Sequence, residues 1–128
     1  MKEIKLQDLD QSIYFKKLNN GLEVYFIPYK NKSNYSMHYI TKFGSRNTTF
    51  KPVGSKKMIT VPDGIAHFLE HKVFEDENGQ DYLKKFVHLG SESNAFTSFT
   101  KTSYLFSTTS KVPENIQLLL EMVSKASF

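Results

Sequence analysis

Apolar and polar residues alternate along the first part of the chain, and the period then changes. Tyr14-Phe15-Lys16-Lys17-Leu18 and Leu22-Glu23-Val24-Tyr25-Phe26-Ile27 flank Asn19-Asn20-Gly21. An Asn-Gly pair between two β-prone runs predicts a hairpin. Pro28 ends the second run. Between Tyr35 and Phe43, Ser36, His38 and Ile40 alternate with Met37, Tyr39 and Thr41, the period of a strand. Gly44-Ser45 closes it. From Thr48 to Val61, Gly, Pro, Lys and Thr follow no period, which predicts a loop.

Beyond that loop the spacing becomes helical. Pro62-Asp63-Gly64 opens a predicted helix with Ile65, Phe68, Leu69 and Val73 as its apolar face, running to about Phe74. Proline suits a first turn, and Asp63 sets negative charge near the positive end of the dipole. Glu75-Asp76-Glu77 and the following Asn-Gly read as a solvated turn. Gln80 to Leu89 predicts a second helix, with Tyr82, Leu83, Phe86 and Val87 inward and Gly90 as its stop. Ser93–Phe99 and Thr102–Thr108, joined by Thr100-Lys101, read as a second hairpin. Pro113-Glu114 starts a last helix through Ile116, Leu119, Leu120 and Val123. Strands grouped with helices predict an α+β layer, a mainly antiparallel sheet with helices packed on one face. The last helix runs almost to Phe128 with no closing strand. Residues 1–128 are therefore expected to be a single, truncated domain.

Composition narrows the chemistry. The formal net charge is +4, but the basic residues come in ones and twos, as in Lys16-Lys17, Lys56-Lys57 and Lys84-Lys85. No basic stripe interleaves with aromatics, so no nucleic-acid partner is expected. There is no cysteine, so a transition metal must be held by His, Asp or Glu. The first twenty residues lack an apolar signal region, and no stretch approaches the roughly 18 apolar residues of a membrane span. The expectation is a cytoplasmic protein with no membrane partner.

The chemistry concentrates in His67-Phe68-Leu69-Glu70-His71. Residues four apart on a helix share a face, so both imidazoles can converge on one ion. Glu70 stands beside them, able to take a proton from a metal-bound water. This H-x-x-E-H spacing points to zinc-dependent hydrolysis. His38 and His88 have no partner at ligand spacing. His38 reads as a strand side chain and His88 as a helix C-terminal residue. Phe96, Phe99, Tyr104 and Phe106 read mostly as core.

Three motifs in order carry a family resemblance. His67 to His71, preceded by Asp63-Gly64-Ile65-Ala66, resembles the active-site helix of the pitrilysin/insulinase (M16) zinc peptidases. Gly44-Ser45-Arg46-Asn47 is similar to that family's turn after the third strand. Ser93-Asn94-Ala95-Phe96-Thr97-Ser98, followed by Thr102-Ser103-Tyr104, resembles its substrate strand. The match looks closest to a small bacterial cytoplasmic branch. The resemblance implies His67 and His71 as zinc ligands and Glu70 as the catalytic general base. It also implies Asn94, Ala95, Phe96 and Thr97 as substrate-binding residues on an edge strand. The third protein ligand is expected beyond Phe128, since Glu114 and Glu121 fall too early. The implied partners are a peptide or unfolded polypeptide substrate, and either the remainder of a parent chain or a paired subunit. The chain alone is expected to be inactive and prone to form homo-oligomers through a bared sheet edge. A lyase of the LuxS type shares an H-x-x-E-H helix in a related layer but wants a reactive cysteine. A non-catalytic, peptide-binding scaffold of the same family is the alternative, and it usually carries a broken motif.

Overall fold

The computed structural model describes residues 1–126, in two compact units that divide after Ser33. The first unit is a three-stranded antiparallel sheet of β1 (Lys2–Leu6), β2 (Gln11–Lys17) and β3 (Glu23–Phe26), in that order. The β2–β3 hairpin forms where the Asn-Gly signal lies. Gly21 takes φ of 88°, its N–H donates to the Leu18 carbonyl, and Leu22 N–H donates to Asn20 Oδ1. Phe15 and Tyr25 pair across the strands with ring centroids 4.9 Å apart. β1 was not foreseen. Its charged sequence hides a strand whose order comes from pairing with β2, Lys2 opposite Phe15 through Leu6 opposite Gln11.

The second unit runs β4 (Tyr35–Thr41), β5 (Thr49–Phe50), β6 (Ile59–Thr60), α1 (Ile65–Val73), α2 (Tyr82–His88), β7 (Glu92–Thr97), β8 (Thr102–Thr108) and α3 (Val112–Ser124). Its main sheet is antiparallel, in the order β4-β8-β7. Register places Met37 and Ser93 opposite Phe106, and Tyr39 and Ala95 opposite Tyr104, all on one face. The helices cover that face. Phe86, Phe106, Leu119 and Met122 are essentially inaccessible, and Phe86 stacks on Phe106 at 6.1 Å. Each such side chain contributes about 1.5–3 kcal/mol by burial. On the opposite face Ile40 and Phe96 remain exposed. The expected α+β layer is therefore present. The region read as a loop before α1 holds the short β5–β6 ladder, with Thr49 opposite Thr60. No helix among the described residues is long and apolar enough to cross a membrane.

One buried polar cluster ties the helices together. Ser91 Oγ donates to Asn115 Oδ1 (2.6 Å), and Asn115 Nδ2 donates to the Lys111 carbonyl (2.9 Å). Asn115 is fully buried, and these bonds offset its desolvation.

The inward faces differ from expectation. α1 begins at Ile65 behind Gly64, which has φ of 83°, so Pro62 and Asp63 lie before the helix and no side chain caps it. Its buried stripe is Ala66, Glu70 and Val73, whereas Phe68 is 58% exposed. In α2, two turns bring only Tyr82 and Phe86 to the sheet and leave Leu83 and Val87 exposed. In α3, Met122 is buried and Leu120 partly exposed. Phe99 also lies outside the core, leaving only Tyr104 and Phe106 of the four aromatics inside. The acidic turn is more than solvated charge. Asp76 accepts from the Asn78 and Gln80 N–H groups and from Lys85 Nζ at 2.7 Å. Those bonds hold its carboxyl below the usual range, the Lys85 bond most of all. The last helix is seen as far as Ser124. Ser127 and Phe128 lie outside the described residues.

Gly44 explains the Gly-Ser-Arg-Asn turn physically. Ser45 and Arg46 N–H groups donate to the Ser98 and Phe99 carbonyls (2.9 and 3.0 Å). Asn47 Oδ1 accepts from Gly44 N–H, and the Arg46 guanidinium lies 5.5 Å from the Phe99 ring centre. A Cβ on Gly44 would stand 2.4 Å from Ser98 O and 2.5 Å from Lys101 N. Both are backbone atoms and cannot swing aside. Gly44→Ala is therefore expected to cost about 1–3 kcal/mol, as overpacking does, read as a lower urea midpoint with an unchanged slope.

Candidate metal centre

α1 sorts its polar residues by depth. The sheet below takes the Ala66–Glu70–Val73 stripe, and His67 and His71, on the flank, stay exposed. Being four apart, the two imidazoles meet, with Nε2 atoms 3.0 Å apart and ring centroids 4.8 Å apart. Which ring donates and which accepts depends on the tautomers. Two nitrogens on a tetrahedral zinc, each about 2.0–2.1 Å from it, stand about 3.4 Å apart. A few tenths of an ångström of opening suffices. Ligand atoms of His67, Glu70 and His71 all lie within 4.8 Å of one another. Two imidazoles with a carboxylate and no thiolate suit zinc among other borderline metals. Among the described residues no other His, Asp or Glu joins the group. Glu121 is engaged elsewhere, accepting from the Tyr82 hydroxyl at 3.4 Å.

The buried Glu70 carboxylate, 7% exposed, accepts a hydrogen bond from Thr97 Oγ1 on β7. Tyr104, opposite Ala95, is buried nearby. Burial first, and then the Glu70 charge, push its phenol up to about 12. Neither neighbour was legible in the sequence. Thr97 and Tyr104 are 27 and 34 residues from Glu70, and only strand register brings them to it.

β7 is an edge strand of the main sheet. Ser98 N–H donates to the Lys101 carbonyl, which makes that pair hydrogen-bonded and the Thr97–Thr102 pair not. Antiparallel alternation then turns the main-chain groups of Ser93, Ala95 and Thr97 toward the free edge. Asn94 is exposed, and its Oδ1 accepts from Ala95 N–H at 2.9 Å. Phe96 is 44% exposed. Of the four residues expected to meet substrate, Ala95 and Thr97 offer backbone at the edge. Asn94 acts on that backbone, and Phe96 points to the open face. His38 donates to or accepts from Ser103 Oγ at 3.2 Å and has no part in the cluster.

The model of the insulinase family, peptidase family M16, matches residues 52–128. The chain belongs to this family. It is 44% identical over 128 residues to the uncharacterized zinc protease YmfH of Bacillus subtilis, covering all of this chain and 30% of that protein. It is 32% identical over 109 residues to the zinc protease PqqE of Helicobacter pylori, covering 81% of this chain and 22% of that protein. A crystal structure of an M16-like peptidase from Alicyclobacillus acidocaldarius superposes with a TM-score of 0.83 at 33% identity, covering 94% of this chain and 28% of that one. This M16 chain thus spans less than a third of the relatives it matches.

The Tyr104 shift has a definite sign. A tyrosine whose folded pKa lies above its unfolded value stabilises the fold fully below the unfolded pKa, and loses that contribution as pH rises through the folded one. Stability of this M16 chain should therefore fall between about pH 10 and 12. Tyr104→Phe should flatten that decline, as measured by urea unfolding at a series of pH values.

Proposed function

We propose that this chain is the amino-terminal part of a zinc metalloendopeptidase whose full polypeptide has the length of its relatives. His67 and His71 hold the metal, Glu70 is the general base, and a further ligand comes from beyond Phe128. The observation that carries the reading is one helix aiming two paired imidazoles outward beside a buried carboxylate, at the edge of a sheet with free main-chain groups.

Zinc, when bound, supplies Lewis acidity to a water and to the substrate carbonyl. The chain's own residues do the rest. Glu70 accepts the proton of the attacking water and returns it to the leaving amine. Ala95 and Thr97 hold an extended peptide by main-chain hydrogen bonds at the β7 edge, which provides affinity with little sequence preference. Peptides or unfolded polypeptides fit that edge. The remainder of the parent chain, or a paired subunit, completes the cleft. Left bare, the same edge favours association between copies of this chain.

With two imidazoles as its ligands, the chain alone should bind zinc more weakly than about 1 μM and hydrolyse nothing. Calorimetry should show that weak binding lost in His67→Ala and in His71→Ala. Sub-micromolar affinity would overturn the missing-ligand reading. In the full polypeptide, Glu70→Gln should keep zinc and lose about 10²–10⁴-fold in kcat. Undiminished turnover in that variant would remove Glu70 from the role.

A further inference from the structure

Resting on that reading, the geometry points to Thr97 as a positioning residue for the base, joining the peptide-binding edge to Glu70 through one side chain. Thr97 closes β7 and stands opposite Thr102. Its main-chain groups turn to the free edge, where a peptide would lie, while its hydroxyl donates to Glu70 Oε2.

The base needs such a partner. Glu70 lies on the sheet-facing stripe of α1 with Ala66 and Val73, and a glutamate has three side-chain torsions to fix. The flanking histidines pair with each other, and Tyr104 is a buried side chain that senses its charge. A hydroxyl donor on one oxygen selects one rotamer and leaves the second oxygen for the water. The donor is itself held in place. Ser98, its neighbour, accepts from Ser45 N–H and donates to the Lys101 carbonyl, so the Gly44–Asn47 turn anchors the end of β7. A peptide on the edge and the carboxylate that acts on it are thereby referred to the same residue. Misplacing a reacting group by about 1 Å can cost on the order of 100-fold.

The first test uses this chain, with carbon-13 in the glutamate carboxyls. Thr97→Val keeps the shape and deletes the donor, and should move the Glu70 carboxyl resonance at fixed pH. Thr97→Ser should bring it back. In the zinc-loaded full polypeptide, Thr97→Val should lower kcat about 10–100-fold. KM and zinc affinity should stay within about twofold, and Thr97→Ser should restore most of the loss. In a Glu70→Gln background, Thr97→Val should add little, because the two act as one unit. Should Thr97→Val fail to fold, Thr97→Ala carries the same expectations. An unmoved Glu70 resonance, or a KM effect without a kcat effect, overturns the proposal. So does a kcat loss that Thr97→Ser does not restore. If instead Glu70→Gln itself turns over normally, the base assignment fails, whatever Thr97 does.

Discussion

The centre depends on how α1 lies against β7 and β8. Helix and sheet meet through Ala66, Glu70 and Val73, and small Ala66 lets the backbone come close. Once that stripe is down, positions 67 and 71 have no freedom. They sit on one flank, in solvent, and their rings meet. A fully apolar stripe would pack as well or better, because a buried carboxylate costs several kcal/mol unless it is hydrogen-bonded. Placing Glu70 there makes sense only with a donor waiting on the sheet, and Thr97 is that donor.

The same logic extends to the end of β7. An exposed strand edge invites pairing with any extended chain, so its register must be held without covering it. The Gly44–Asn47 turn does this from the hairpin tip, gripping the Ser98 and Phe99 carbonyls and leaving the edge open. On that edge Asn94 engages the Ala95 N–H.

Much of this was readable from local chemistry. The Asn-Gly hairpin, the alternation from Tyr35, the helix around His67 and the Thr-rich hairpin at Thr100-Lys101 each rest on signals within a few residues of one another. So does the histidine pair, because residues four apart on a helix share one face. The misses share a cause as well. β1 has no periodicity of its own and is ordered by β2. β5 and β6 are two residues long and exist only as each other's partners. Phe68, Leu83, Val87 and Leu120 look like core by composition, yet a helix has more apolar positions than one sheet can cover. Asp76 lies in an acidic run but is the residue around which its turn is hydrogen-bonded.

What the amino-acid order alone determined is the identity and spacing of the polar groups: two imidazoles one turn apart, a carboxylate between them, and a β-prone run at Ser93–Thr97. Which helix face turns inward, which β7 atoms meet the free edge, and that Thr97 and Tyr104 flank Glu70 were decided only by tertiary structure. The physical reason is range. Helical period and turn chemistry act over a few residues, whereas burial and strand register compare groups dozens of positions apart, and those comparisons are settled only when the layers pack.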